Sequence, residues 1–175
     1  MFLQCKEYNF ECKCQRCADS TDLETNGNSL LCPKCNEGIL KPSEWKCNNC
    51  QTSMKHSEVL DINQKAYNDT LELLSHWTKW TVKGYEEFLT KYSKKLHPNH
   101  TLNISIKTKL AGFYGKLSGY TLLDAQYSGV REHIDRKLEL CKESLEVLEK
   151  ILPGLSSVKG TFIPIFYFVY PIYKN

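Results

Sequence analysis

"LLCPKCNEGILKPSEWKCNNCQTS", residues 30–53, carries two Cys-x-x-Cys pairs, Cys32 with Cys35 and Cys47 with Cys50, separated by eleven residues. Each short turn can present two thiolates to one ion, and four sulfurs saturate a tetrahedral centre. Zinc suits that donor set best, in a closed structural site with no position left for a substrate or an activated water. Iron, alone or in a cluster, uses the same four sulfurs and stands as the alternative. The surrounding segment is rich in turn formers and poor in apolar residues, so burial alone cannot offset the entropy of ordering it. Residues 25–55 therefore read as a zinc ribbon, with Trp45 packing beside the second pair. The loop between the pairs offers only Lys41 and Lys46 as cations and no ladder of aromatics, a weak basis for nucleic-acid binding.

Working outward, eight of the nine cysteines lie between Cys5 and Cys50, and Cys141 alone falls later. The chain has 175 residues, enough for a small module and a helical domain, and its formal charge of +3 does not by itself imply a nucleic-acid or anionic-membrane surface. Met1 to Glu11 shows no basic stretch followed by an apolar run, so the expected setting is cytoplasmic or nuclear. In such a reducing compartment clustered thiols are better explained by metal than by disulfides.

Upstream of the ribbon, "YNFECKCQRC" (residues 8–17) supplies Cys12, Cys14 and Cys17, three ligands where a structural zinc takes four. Cys5 can fold back to complete the set; the alternative is a sulfur from a part of the polypeptide outside this sequence.

This stretch resembles the post-SET segment of the SMYD family, the SET and MYND protein lysine methyltransferases. The following "CADSTDLETNGNSLLCPKCNEGIL" with "WKCNNC" is similar to arthropod-type members, which carry an added ribbon. "YSKKLHPNHTLNISIKTKLAGFYGKLSGYTLLDAQ" and "RKLELCKESLEVLEKILPGLSSVKG" resemble the family's helical C-terminal domain. The resemblance runs from about Lys6 to Gly160. It implies that the triplet is completed by a SET-domain cysteine, that Tyr8 lines a target-lysine channel, and that Phe10 stacks near the adenine of S-adenosylmethionine. Without it, Tyr8 and Phe10 read as strand residues packed beside a zinc knuckle. The family's cofactor loops, Asn-His motif and catalytic tyrosine have no match here, so the chain reads as a C-terminal part, inactive alone toward histone or other protein substrates. The alternative is a non-catalytic zinc-binding interaction module.

The expected fold is a zinc-stabilised post-SET segment (1–24) and zinc ribbon (25–55), followed by an all-α bundle (56–160). Helices are expected over 58–80, 82–96 and 102–117. Another follows from Val130, Ile134, Leu138, Cys141, Leu145, Leu148 and Leu152 on one face, with Lys137, Glu139 and Lys142 opposite and Pro153-Gly154 as the stop. Cys141 on that stripe reads as core. Pairs of such helices suit a tetratricopeptide-like stack, which in the family shapes the substrate cleft and docks partner proteins. His97 and His100, flanking a helix stop, read as caps for exposed carbonyls, and His56 is the one histidine placed to substitute as a ligand. The tail "TFIPIFYFVYPIYKN" (161–175) is apolar, contains two prolines, and is too short to span a bilayer.

Overall fold

The computed structural model describes residues 15–42, 44–75, 81–114, 116–120, 132–152, 154 and 159. Its elements are α1 (Gln15–Ala18), β1 (Leu30–Leu31), β2 (Ile39–Leu40), α2 (His56–Ser75), α3 (Val82–Tyr92), α4 (Thr101–Phe113) and α5 (Glu132–Ile151). A short metal-type knuckle region with one antiparallel strand pair thus precedes a helical array.

The helices form where apolar residues recur at helical spacing. Val82, Tyr85, Phe88 and Tyr92 bury one face of α3, and Thr81 caps its start by accepting the Gly84 N–H at 3.0 Å. Helix α4 packs against both α3 and α5, and α2 packs against α3 and α4. Between them Tyr85, Ile106, Leu110 and Leu140 are fully buried, and Tyr85 meets Phe113 edge-to-face with ring centroids 4.9 Å apart.

Three expectations shift. Helix α3 ends at Tyr92, short of Leu96, because Leu96 is drawn into a bridge with Leu30 and the Lys95 carbonyl accepts the Leu31 N–H at 2.8 Å. Helix α4 ends at Phe113, short of residue 117, where Tyr114 turns to extended backbone (ψ 102°). On α5 the buried face is Ile134, Lys137, Leu140, Cys141, Ser144, Val147 and Leu148, which puts Lys137 inside although its charge suggested the outer face. Its ammonium donates to the Tyr114 carbonyl, and its stem packs with the core. Cys141 is fully buried, as its stripe position implied. Val130 and the 161–175 tail lie outside the described residues.

The knuckle region is fastened to the array by backbone. β1 pairs with β2 in the register Leu30↔Leu40 and Leu31↔Ile39. The residues leading into β1 meet the chain that runs from the end of α3 into α4, where His97 N–H donates to the Ser29 carbonyl at 3.1 Å and Thr101 N–H, at the start of α4, to the Gly27 carbonyl at 2.8 Å. Before β1, the Asp19 carboxylate accepts the N–H groups of Thr21 and Leu23, both at 2.8 Å, and so holds Asp22, Leu23 and Glu24 in left-handed conformation.

Candidate metal centre

The two Cys-x-x-Cys turns are built alike. In the first, Asn36 N–H donates to the Cys32 carbonyl at 2.9 Å; in the second, Gln51 N–H donates to the Cys47 carbonyl at 3.2 Å. Asn36 and Gln51 both take positive φ, 57° and 61°, which turns the chain back after each second cysteine. The strand pair and the bridge between Leu40 and Cys47 then bring the turns face to face.

The result is a compact set of sulfurs. Cys32, Cys35, Cys47 and Cys50 have their Sγ atoms all within 4.8 Å of one another. Across the two turns, Cys32 faces Cys50 at 3.6 Å and Cys35 faces Cys47 at 3.6 Å. A zinc–sulfur tetrahedron with bonds of about 2.3 Å has edges of roughly 3.8 Å, so the donor set fits the ion. These four could hold zinc as a closed tetrathiolate. Cys32 and Cys47 are buried, while Cys35 and Cys50 are half-buried.

Hydrogen bonds tune the sulfurs. Gly38 N–H donates to Cys35 Sγ at 3.3 Å, and Asn49 and Cys50 N–H groups donate to Cys47 Sγ, each at 3.4 Å. The Thr52 hydroxyl lies 3.3 Å from Cys50 Sγ. Burial pushes the Cys32 thiol up to about 11. Hydrogen bonding from Thr52, hydroxyl first and backbone second, holds Cys50 down to about 6. Backbone N–H groups of Glu37 and Gly38 also lower Cys35. Ligation needs all four as thiolates, so binding displaces the Cys32 proton and weakens as pH falls.

Gly38 and Thr52 are the contributors that spacing did not reveal. A Cβ at Gly38 would stand 2.2 Å from Cys47 Sγ, so only glycine leaves room for that ligand. Trp45 is half-buried and packs on the core beside the turns. His56 opens α2, is exposed, and is not one of the converging ligands. His97 and His100 act at the opposite polarity from that expected. His100 Nδ1 accepts the Leu102 N–H at 3.3 Å and caps the start of α4, and His97 Nδ1 accepts the Asn99 N–H at 3.1 Å. They cap amides because they stand in the short connection that runs straight into the first turn of α4, whose N–H groups lack intrahelical acceptors.

Of the upstream residues, Cys17 lies in α1, half-buried, on a segment that Arg16 ties to Asp22 and to the Ile151 carbonyl. Cys5, Tyr8, Phe10, Cys12 and Cys14 lie outside the described residues. Among the described residues no helix is long and apolar enough to cross a membrane. No protein-family model matches the chain, and no curated protein matches it. What fold and site define together is a four-cysteine knuckle, able to hold a metal ion, set beside a helical array.

Proposed function

We propose that this chain is a zinc-binding module of a SMYD-like protein lysine methyltransferase, its C-terminal part, with the zinc structural rather than catalytic. The convergence of Cys32, Cys35, Cys47 and Cys50 within 4.8 Å carries the zinc half of the reading. The order of Cys-x-Cys-x-x-Cys triplet, ribbon and helices supports the family half. On this reading Cys12, Cys14 and Cys17 hold a second zinc with Cys5 or a SET-domain sulfur. Tyr8 and Phe10 then flank the lysine channel and S-adenosylmethionine, and the helices form a tetratricopeptide-like wall in the cytoplasm or nucleus. By itself the 175-residue chain transfers no methyl group.

A non-catalytic interaction module is the second reading, favoured by Leu60, Tyr67 and Leu71, which stand 54%, 42% and 45% exposed on one face of α2. Mapping the 5′ end of the native transcript separates the two. Coding sequence for an Asn-His motif and a SET tyrosine upstream of Met1 supports the enzyme; a transcript that opens at Met1 leaves the interaction module.

A further inference from the structure

The four thiols differ in what they meet. Cys35 and Cys50 reach solvent, one from each turn, whereas Cys32 and Cys47 are 0% and 1% exposed. Each accessible sulfur has a buried sulfur of the opposite turn 3.6 Å away, Cys50 with Cys32 and Cys35 with Cys47. This is the arrangement of an attacking thiol with its resolving thiol.

We propose that the centre is a peroxide-responsive zinc site, in which oxidation replaces the metal by two disulfides that cross between the turns, Cys32–Cys50 and Cys35–Cys47. The inference rests on the zinc reading above. The Cys50 thiolate attacks one oxygen of hydrogen peroxide; the O–O bond breaks, hydroxide leaves, and Cys50 becomes a sulfenic acid. The Cys32 thiolate then attacks that sulfur, the S–O bond breaks, and a second hydroxide leaves as the disulfide forms. Solvent protons convert both hydroxides to water. Two sulfurs are oxidised and one peroxide is reduced for each bond, and Cys35 with Cys47 repeats the sequence. Zinc, stripped of its thiolates, departs.

The pairing has a structural consequence. Disulfides within each Cys-x-x-Cys turn would leave the turns unlinked, whereas the crossed pairs join residues eighteen and twelve positions apart, as the metal does. The register of β1 and β2 and the bridge to Leu96 then survive metal loss, so reduction with zinc present restores the site.

Trypsin makes the pairing readable. Cleavage after Lys34, Lys46 and Lys55, with Lys41 protected by Pro42, puts Cys32 and Cys35 on separate peptides and Cys47 with Cys50 on a third. The zinc-loaded full chain is treated with hydrogen peroxide, released zinc is followed with a chromogenic chelator, and the alkylated digest is read by tandem mass spectrometry. The expected result is release of this site's zinc with a three-peptide assembly linked Cys32–Cys50 and Cys35–Cys47, reversed by dithiothreitol and zinc. A two-peptide Cys32–Cys35 product with an internally looped Cys47–Cys50 peptide overturns the proposal, as does zinc retained under peroxide; both leave the zinc reading intact. Absence of zinc on these four cysteines before peroxide overturns both.

Discussion

The ribbon and the helical array solve the same problem by different physics. Around the four cysteines, Leu30 and Leu40 are the large aliphatic side chains fully buried, and the turns are fastened by N–H···S bonds. Across the array Tyr85, Phe88, Ile106, Leu110, Leu140 and Val147 bury one against another over α3, α4 and α5. Ordering a residue's backbone costs about 1–2 kcal/mol, a cost the array meets with apolar area and the ribbon, on the zinc reading proposed above, with a cross-link. Cross-linking needs few residues, but those few tolerate no substitution.

Metal removal is the sharpest way to separate the two regions. Structural zinc contributes on the order of 10–16 kcal/mol of apparent binding energy. Chelation should abolish amide-exchange protection over 30–53 while protection within α5 persists. Uniform loss along the chain would mean the array depends on the ribbon as much as the reverse.

Leu140→Ala tests the other side. Leu140 is fully buried on α5, and its truncation should cost about 2–5 kcal/mol in urea unfolding while leaving zinc content unchanged. Coupled loss of zinc would break the comparison.

Between the regions stands His100, 5% exposed at the start of α4. Burial, with a smaller contribution from the charge of His97, holds its imidazole down to about 4, below the ordinary 6.5. Unfolded chains then bind a proton that folded ones do not, so this contribution is complete above pH 6.5 and is lost as pH falls toward 4. His100→Asn keeps an acceptor for the Leu102 N–H without the titration. Over that window wild type should lose up to ~3 kcal/mol more than the variant. Subtracting one from the other cancels acid release of zinc. Parallel pH profiles would remove the assignment.

Smallest is Gly38→Ala. Its Cβ displaces Cys47 Sγ, and zinc affinity in a competition titration should fall by about 10–100-fold with helicity unchanged. Unaltered affinity would mean the strand pair yields to make room.

How legible each region was follows from the same contrast. Pairs of cysteines at short spacing declare their convergence locally, and the meeting of Cys32, Cys35, Cys47 and Cys50 in one cluster was readable from spacing alone. Gly38 and Thr52 were not, because backbone N–H and hydroxyl groups facing sulfur depend on how the two turns meet. In the array, apolar periodicity located the helices but not their ends or the exact roll of α5. Leu96 leaves α3 for Leu30, sixty-six positions away in the chain, and Lys137 is buried because a carbonyl of Tyr114 receives its ammonium. The two histidines expected as carbonyl caps are amide caps, because the short turn at Pro98 runs directly into α4.

The most direct measurement is elemental mass spectrometry of zinc per chain in the purified protein beside its Cys47→Ser variant. Cys47 is buried, accepts two N–H bonds at sulfur, and belongs to no other cluster among the described residues. The account predicts one zinc fewer per chain in the variant, with the α-helical circular dichroism largely kept. Equal zinc in both proteins would contradict it, and would place the metal on sulfurs other than the four that converge here.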